Sequence, residues 1–533
     1  MTNSIRELED ADCIFVTGSN TIEQHPLISR YILRAKEKGA KLIVNDIRRV
    51  PLTRFADLHL KQRPGTDVAL LNGLMHVILA EGLENKAFIA ERTEGFDALA
   101  SVVRGYPPER VEEITGIPRN QIVEAARMFA TAKAGSIVYA MGLTQHSTGT
   151  DNVKSCANLA MITGHVGRPS TGVNPLRGQN NVQGACDMGA LPPVYSGYQA
   201  VADEANRKKF EAAWQSSLPT KAGLTIMDMT TEAAKGNLRA MYIMGENPML
   251  ADPDLTHVRA ALAKLDFLVV QDIFLTETAE LAHVVLPAAS FAEKEGTVSS
   301  TERRVQWTRK AIEPVGESKA DWQIICDLAR AMGSKQFEYG SPKEIMAEIA
   351  RLTPSYGGIS YERLGSVGLH WPCPNPEHPG TPYLHKDKFS RGKGQLMAIE
   401  FKAAAELPDE AYPFLLTTGR TMFHFHTGTM TRRTAILNQE VPTGYIEIND
   451  RDAERSGIRD GEMIVAESRR GKVDVTARVT DRIGAGVVFM PFHFAECAAN
   501  LLTNAALDPT AKIPEYKVCA CRLLKQPARG VQP

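Results

Sequence analysis

The sequence predicts a multi-domain α/β protein in which one strand–helix–strand unit occurs twice and a small β-barrel follows. A strand, a helix and a second strand occupy residues 12–20, 25–40 and 41–49. The same order returns over residues 240–274. From about residue 411, short β-runs separated by turns every 10–15 residues indicate a barrel.

The first unit shows the signals of a βαβ motif. The apolar strand ends at Gly18, and Pro26 suits the first turn of the helix that follows. Gly39 is placed to end that helix, and Asp46 lies at the carboxyl end of the next strand. A βαβ unit implies a parallel sheet.

The second unit repeats the spacing of the first. Gly18 and Asp46 differ by 28 in residue number, and Gly245 and Asp272 differ by 27. A short third strand begins ten positions after each Asp, at Ala56 and at position 282. We interpret the two matching offsets as an internal repeat.

The remaining segments complete a four-domain organisation. A strand enters a polar loop over 135–150, and helices are predicted near 151–163 and 320–332. The Pro/Gly-rich region 353–394 has the composition of a long surface connection. The predicted domains are residues 1–179, 180–291, 292–400 and 401–533, as two Rossmann-like units, a linking region and the barrel.

Composition excludes several classes of protein. The 533 residues carry a formal net charge of -1, which argues against bulk nucleic-acid binding. No apolar run reaches the roughly 18 residues of a membrane span. The eight cysteines include no CxxC motif, which indicates a reducing compartment or buried thiols. We interpret Cys519 and Cys521 as two buried or half-buried thiols.

Ligands of α/β sheets bind beyond the carboxyl ends of strands, where both repeats carry a Gly and an Asp. Glycine allows backbone N–H groups to approach a pyrophosphate, and a carboxylate at the next strand end binds ribose hydroxyls. The alternative is that Gly18 and Gly245 form tight turns and that Asp46 and Asp272 are caps. Neither repeat has the full GxGxxG spacing, so an NAD site is weakly supported.

A single arginine, Arg177, stands in the loop "NPLRGQNNVQGACDMGALP" among amide and small residues. A guanidinium is a rigid fork that binds a carboxylate through two hydrogen bonds. The alternative is an ion pair with a nearby carboxylate such as Asp187. In 417–433, His424 and His426 form a His-x-His pair, but no third metal ligand stands at a telling spacing.

Several motifs together resemble a known family. They are the Arg177 loop, "AMGLTQHSTGTDNVKSCANLAMITGHVGRPSTG", "MGENPMLADPD", "EGTVSSTERRVQ" and "TGRTMFHFHTGTMTRR". The chain is similar, in order and over essentially its whole length, to the catalytic subunit of molybdenum- or tungsten-dependent formate dehydrogenases. That resemblance implies the molybdopterin oxidoreductase fold, with two pseudo-symmetric Rossmann-like units and a C-terminal six-stranded β-barrel around two molybdopterin guanine dinucleotides.

The resemblance also implies which residues bind. Residues expected at the first nucleotide are Gly18, Ser19, Asn20, Asp46, Arg48, Gly65 and Asp67, and those at the second are Gly245, Asn247, Asp272 and Thr276. Residues expected near the pterins are Gly142, Gln145, Gly178 and Gln179, with Arg420, His424, His426, Thr427, Asn500 and Lys517 from the barrel. Arg177 is expected to orient formate, and no metal ligand is assigned.

The expected reaction is the oxidation of formate to carbon dioxide or its reverse. Electrons are expected to pass to iron–sulfur or flavin proteins, a hydrogenase or a cytochrome. The competing functions are a non-catalytic cofactor-binding protein of the same fold and a family member with another substrate.

The family pattern begins earlier than this sequence. It includes an N-terminal 4Fe-4S domain and a Cys or selenocysteine metal ligand followed by His, neither of which is found here. We therefore expect Met1 to be an internal methionine and the 4Fe-4S cluster to belong upstream. The expected location is cytoplasmic, or periplasmic if a twin-arginine signal lies upstream.

Overall fold

The computed structural model of the chain describes residues 1–526. Its strands are β1 (Cys13–Thr17), β2 (Lys41–Asn45), β3 (Leu58–Leu60), β4 (Thr93–Glu94), β5 (Gly135–Tyr139), β6 (Gly172–Pro175), β7 (Val194–Tyr195), β8 (Gln199–Ala200), β9 (Ala240–Met244), β10 (Phe267–Asp272), β11 (Val284–Pro287), β12 (Gly296–Ser299), β13 (Arg304–Thr308), β14 (Leu369–His370), β15 (Gly394–Gln395), β16 (Phe414–Gly419), β17 (Tyr445–Ile448), β18 (Met463–Glu467), β19 (Lys472–Val479), β20 (Val487–Pro491) and β21 (Cys519–Lys525).

Helices separate many of these strands. They are α1 (Thr21–Gln24), α2 (Pro26–Glu37), α3 (Asp67–Ala80), α4 (Lys86–Arg92), α5 (Phe96–Val103), α6 (Pro108–Thr115), α7 (Arg119–Ala130), α8 (Met141–Thr144), α9 (Gly149–Ile162), α10 (Val182–Asp187), α11 (Glu204–Trp214), α12 (Ile226–Lys235), α13 (Pro248–Ala251), α14 (Leu255–Leu262), α15 (Asp321–Ala331), α16 (Pro342–Leu352), α17 (Tyr361–Leu364), α18 (Ala435–Glu440) and α19 (Asp450–Ser456).

The chain divides into two compact units. Unit 1 contains residues 1–176 and 250–256, and it resumes at residue 383. Unit 2 contains residues 177–249 and 257–382. The break after residue 176 lies close to the predicted boundary after residue 179, while the four-domain division itself stays a prediction.

A five-stranded parallel sheet, in the order β3-β2-β1-β5-β6, forms the first part of unit 1. Every residue of β1 is buried, because helices cover both faces of the sheet. Phe15 packs into the core on one face, and its neighbours Ile14 and Val16 pack into the core on the other. The predicted βαβ unit is confirmed.

Unit 2 contains a second parallel sheet, in the order β11-β10-β9. Both units use the same hydrogen bond at the predicted turn: Gly18 N donates to Asn45 O at 3.0 Å, and Gly245 N donates to Gln271 O at 2.8 Å. In each unit the accepting residue immediately precedes the Asp at the strand end. The structure thus confirms the internal repeat.

The second part of unit 1 is a closed six-stranded barrel, in the order β16-β20-β17-β19-β18-β21, as predicted. The last strand closes it by pairing with β16 and β18. Cys519 and Cys521 are fully buried in the barrel core, which confirms their interpretation as buried thiols.

The prediction that residues 353–394 form a surface connection was wrong for part of the segment. Tyr356, Ile359, Leu364 and Cys373 are buried and pack together in unit 2. Pro and Gly prevent long regular elements there, but they do not prevent the apolar side chains from forming a core.

Candidate functional site

The turn after β1 is packed tightly against the backbone that follows β5. Gly18 has a φ of +59°, and its carbonyl accepts a hydrogen bond from Gly142 N at 3.0 Å. A Cβ on Gly18 would lie 2.4 Å from the backbone N of Leu143. Only glycine fits this turn, which brings two of the predicted strand-end segments into contact.

Ser19 and Asn20 continue that turn in unit 1. Ser19 Oγ shares a hydrogen bond with Thr21 Oγ1 at 2.9 Å. Asn20 Nδ2 donates to Glu23 Oε2 at 2.7 Å, while its buried Oδ1 lacks a hydrogen-bond partner among residues 1–526. The turn therefore presents an unused acceptor.

Asp46 and Arg48, which follow the end of β2, have different surroundings. Asp46 Oδ1 accepts from Arg48 N at 2.9 Å, and burial raises the pKa of Asp46 to about 6. The Arg48 guanidinium donates to both oxygens of Glu447 at 3.1 Å and lies 3.5 Å from the ring centre of Phe489. The charge of Arg48 is thus already paired, although its assignment to the nucleotide site stays a prediction.

The end of β3 leads into a buried acid–base cluster. Asp67, the first residue of α3, lies 4.0 Å from His146 Nε2, and Glu515 Oε1 lies 3.0 Å from His146 Nδ1. Burial alone lowers the pKa of His146, but hydrogen bonding and the charge of Glu515 outweigh it and raise the pKa. Gly65 lies close by in sequence, and a Cβ there would be 3.2 Å from Val518.

Two cations from the barrel segments of unit 1 lie in the same cluster. Burial, and after it the charge of Arg420, lower the pKa of Lys517 to about 8. Lys517 Nζ donates to Thr418 O at 2.7 Å. Arg420 forms no ion pair with any carboxylate in the part of the chain that the structure describes. An anion would complete this arrangement.

The other predicted barrel residues occupy two places in unit 1. His424 Nε2 lies 2.8 Å from Val441 O and its Nδ1 lies 3.3 Å from Thr431 Oγ1, so both ring nitrogens have partners. His426 has a φ of +49°, Thr427 shares a hydrogen bond with Thr429, and Asn500 donates to the carbonyls of Leu250 and Ala251. Gln145 follows α8 and is partly buried.

Unit 1 therefore collects predicted residues from the ends of β1, β2, β3, β5 and β16. Some of these predicted residues, and several of their neighbours, carry buried oxygens that have no hydrogen-bond partner in residues 1–526. These oxygens are Asn20 Oδ1, Gln62 Oε1, Asp67 Oδ2, Thr421 Oγ1 and Asn500 Oδ1. Unused buried acceptors beside unpaired cations fit a large polar ligand that carries phosphates.

The corresponding turn in unit 2 is open. Gly245 has a φ of +63°, and no atom lies within 4 Å of the position of an added Cβ. Asn247 Nδ2 donates to Glu277 Oε2 at 2.8 Å, and Asp272 Oδ1 accepts from the backbone N of Ile273 at 2.6 Å. Thr276 Oγ1 accepts from Ala279 N at 3.2 Å. This turn is positioned by its own hydrogen bonds and leaves its glycine accessible.

Arg177 lies in unit 2 and does not form the alternative ion pair with Asp187. Its Nε donates to Gln183 Oε1 at 2.9 Å, and its Nη1 lies 3.5 Å from Cys186 Sγ. No carboxylate of residues 1–526 forms an ion pair with it. Gly178 is half-buried and Gln179 is exposed in the same loop.

Asp187 is fully buried and takes four neutral donors. Oδ1 accepts from Gln183 Nε2 at 2.7 Å and from Tyr198 OH at 2.8 Å. Oδ2 accepts from Tyr356 OH at 2.6 Å and from Trp371 Nε1 at 2.7 Å. Burial and the charge of Asp187 raise the pKa of both tyrosines, which keeps them protonated as donors.

Several residues of these clusters escaped the sequence reasoning. His146, Glu515 and Thr421 in unit 1, and Gln183 in unit 2, carry no spacing signal of their own. The only hint was proximity in sequence: His146 follows Gln145, and Glu515 lies two residues before Lys517.

The described residues contain neither a cluster of metal ligands nor a membrane-spanning helix. No group of three or more His, Cys, Asp or Glu among residues 1–526 is arranged to hold a metal ion. Within the same residues, none of the helices combines the length and apolar character needed to cross a membrane.

Comparison with known proteins supports one family. Residues 1–331 match the family "Molybdopterin oxidoreductase", and residues 414–520 match the "Molydopterin dinucleotide binding domain". The chain is 54% identical over 528 residues to F420-dependent formate dehydrogenase 1 subunit alpha of Methanococcus maripaludis, with 98% of this chain and 78% of the relative covered. It is 43% identical over 530 residues to formate dehydrogenase H of Escherichia coli, with 98% and 74% covered.

A solved structure supports the fold. Acetylene hydratase from Pelobacter acetylenicus matches with a TM-score of 0.78 and 21% identity, over 97% of this chain and 78% of that chain. The likeness confirms the predicted fold class and carries no argument about the reaction. With its N-terminal 331 residues and its barrel both matched, the chain belongs to the molybdopterin oxidoreductase family.

Proposed function

We propose that this chain is the catalytic subunit of a formate dehydrogenase. The reaction is HCOO⁻ → CO₂ + H⁺ + 2e⁻, or its reverse. Relatives named formate dehydrogenases align with 98% of the chain. The observation that carries the substrate assignment is Arg177, a guanidinium held by a neutral amide oxygen and unpaired with any carboxylate of residues 1–526.

The residues of unit 1 fit a molybdopterin guanine dinucleotide. Gly18 and Gly142 pack against each other and bring the turns after β1 and β5 together, and Arg420 and Lys517 supply positive charge for a diphosphate. The unpartnered oxygen of Asn20 remains available for hydrogen bonding. We assign the residues named from the resemblance in unit 1 to this cofactor.

We assign the open turn of unit 2 to a second dinucleotide. Gly245 leaves room for close approach of a ligand, and Asp272 lies at the carboxyl end of β10, where α/β proteins bind ribose and phosphate. Asn247 and Thr276 hold the surrounding turns in place through their own hydrogen bonds. When bound, the molybdenum or tungsten bis-dinucleotide supplies the two-electron redox chemistry.

Arg177 binds and orients formate in this proposal. Formate is a one-carbon anion, so its carboxylate is the main handle for recognition, and a fixed guanidinium binds it through two charge-assisted hydrogen bonds. Holding both oxygens leaves the C–H bond pointing away from the arginine.

The relatives named F420-dependent enzymes are alpha subunits, and we propose that this chain likewise passes electrons to a partner subunit. A 4Fe-4S cluster associated with the catalytic subunit and a cytoplasmic location stay predictions.

Formate-dependent dye reduction by the purified holoenzyme tests the function. We expect Arg177→Ala to lower kcat/KM for formate by about 100-fold, because an anion loses its charge-assisted bonds. Arg259→Ala, at an exposed arginine of unit 2 with no assigned role, is the matched control and should stay near the wild-type value.

Metal and pterin content is measured on every variant. Unchanged formate turnover by Arg177→Ala would remove its proposed role. A wild-type protein that contains no pterin would favour a different function altogether, and a loaded protein without formate activity would favour another substrate.

A further inference from the structure

We infer that Asp187 is a positioning residue that sets the orientation of the Gln183 amide and, through it, the guanidinium of Arg177. The inference rests on the proposed function in one respect, namely that Arg177 binds the substrate carboxylate. The hydrogen bonds that link Asp187 to Gln183 and Gln183 to Arg177 are both formed within unit 2. No part of it was predicted as functional apart from Arg177.

The surroundings of Asp187 define its role. Each of its oxygens accepts two hydrogen bonds of 2.6 to 2.8 Å, and none of its four donors is a charged group. A fully buried side chain that only receives hydrogen bonds in this way is held as an acceptor. Gln183 and Asp187 are four residues apart on α10, so the helix places both on one face.

The acceptor character of Asp187 decides which way Gln183 points. An amide offers an NH₂ donor on one side and an oxygen acceptor on the other. The NH₂ group must face Asp187, at 2.7 Å, so the oxygen must face Arg177 Nε, at 2.9 Å. If the Gln183 amide were reversed, its NH₂ would face the Nε–H donor of Arg177. Its oxygen would then face the carboxylate of Asp187, and both hydrogen bonds would be lost.

This arrangement leaves a defined part of Arg177 for a ligand. Nε is occupied by Gln183, and the only other hydrogen bond of the guanidinium within residues 1–526 is the weak one from Nη1 to Cys186 Sγ. A carboxylate therefore binds end-on, through Nη1 and Nη2. Because the oxygen on Nε belongs to a neutral amide, the positive charge of Arg177 remains uncompensated for the substrate.

Direct pairing with Asp187 would work against that purpose. A carboxylate on Nε would neutralise the guanidinium and compete electrostatically with formate. The interposed Gln183 transmits the position of the carboxylate without bringing its charge into contact. The neutral donors Tyr198, Tyr356 and Trp371 hold Asp187 on its other sides.

Steady-state kinetics of holoenzyme variants test the relay. Asp187→Asn introduces a donor opposite the Gln183 NH₂, and we expect the KM for formate to rise about tenfold or more with kcat changed less than threefold. Gln183→Met removes the amide and should act alike. In the double variant Asp187→Asn with Gln183→Glu, a carboxylate replaces the neutral amide on Arg177 Nε, so the KM should stay at least as high as in Asp187→Asn.

Tyr361→Phe serves as the matched control. The buried hydroxyl of Tyr361 has no hydrogen-bond partner in residues 1–526 and takes no part in holding Asp187, so the KM should stay within about twofold of wild type.

A chemical readout independent of turnover uses the thiol of Cys186. Its Sγ lies 3.5 Å from Arg177 Nη1, and the other seven cysteines are buried, so Cys186 is the thiol that alkylation reaches in the native protein. Relative to free glutathione, a guanidinium at this distance should raise the ratio of the iodoacetate rate to the iodoacetamide rate by about fivefold at low salt. We expect Asp187→Asn and Gln183→Met to reduce this rate ratio, and the double variant, whose new carboxylate neutralises the guanidinium, to reduce it as well.

The outcomes separate the relay from the proposed function. Wild-type KM and rate ratio in both single variants would overturn the relay, and a double variant with wild-type KM would overturn the requirement for a neutral amide on Arg177 Nε. If Asp187→Asn fails to fold, Gln183→Met alone decides by the same criteria. A holoenzyme without formate activity would refute the function, while the alkylation ratio would still judge the relay.

Discussion

The two repeat glycines provide a matched pair of substitutions whose difference follows from the structure. Gly18 and Gly245 have nearly equal φ angles, +59° and +63°, so alanine meets the same left-handed penalty of about 1–2 kcal/mol at both. The smaller entropy of the unfolded alanine chain offsets about 0.4–1 kcal/mol. We therefore expect Gly245→Ala, whose Cβ meets open space, to cost about 1 kcal/mol.

Gly18→Ala carries an additional steric cost. Its Cβ would lie 2.4 Å from Leu143 N and 2.6 Å from Gly142 C, and backbone atoms cannot move away as a flexible side chain can. Overpacking of this kind costs about 1–3 kcal/mol more, for a total of about 2–4 kcal/mol.

Hydrogen exchange with mass spectrometry measures each effect locally. Peptides that contain β1 report on Gly18→Ala, and peptides that contain β9 report on Gly245→Ala. All four tryptophans, at positions 214, 307, 322 and 371, lie in unit 2, so fluorescence provides a second measure for Gly245→Ala. Equal loss of protection in the two variants would refute the steric argument.

Two further predictions concern buried charge in unit 1. Glu447→Gln leaves Arg48 buried without its counter-charge and should lower the free energy of unfolding by about 3–5 kcal/mol. The control Asp481→Asn, at an exposed pair with Arg49, should change the free energy of unfolding by less than about 1 kcal/mol. Urea titration followed by circular dichroism measures both. The pKa of Asp46 is about 6 in the folded protein against an ordinary 3.8, so the unfolded chain loses its proton first and stability should fall as the pH rises from about 4 to 6, by up to about 3 kcal/mol. Asp46→Asn should flatten that part of the stability profile of the cofactor-free protein, and an unchanged slope would contradict the assignment.

Sequence reasoning identified the features that depend on spacing along the chain. The offsets between Gly18, Asp46, Gly245 and Asp272 indicated the repeat, because strand–turn–helix units have nearly fixed lengths. The β-runs after residue 411 indicated the barrel for the same reason. Both were confirmed by the sheet order and by the shared Gly-to-carbonyl hydrogen bond.

Contacts between distant residues could not be predicted in the same way. Arg48 meets Glu447 across 399 positions, and Tyr356 meets Asp187 across 169. Only the folded chain brings such pairs together, and no local pattern signals them. The Arg177 loop shows the same limit at short range: Asp187 was considered as a direct partner, but Gln183 lies between them because α10 aligns residues four apart.

The order of the two units along the chain has a consequence for biosynthesis. The parallel sheet of unit 1 is complete by residue 175 and its barrel begins at residue 414, so the sheet emerges from the ribosome long before the barrel. Until Glu447 and Phe489 are translated, Arg48 has neither the carboxylate nor the ring that cover it in the finished protein. All five strands of the sheet are complete by then, but Arg48 stays uncovered while the residues of unit 2 are synthesised.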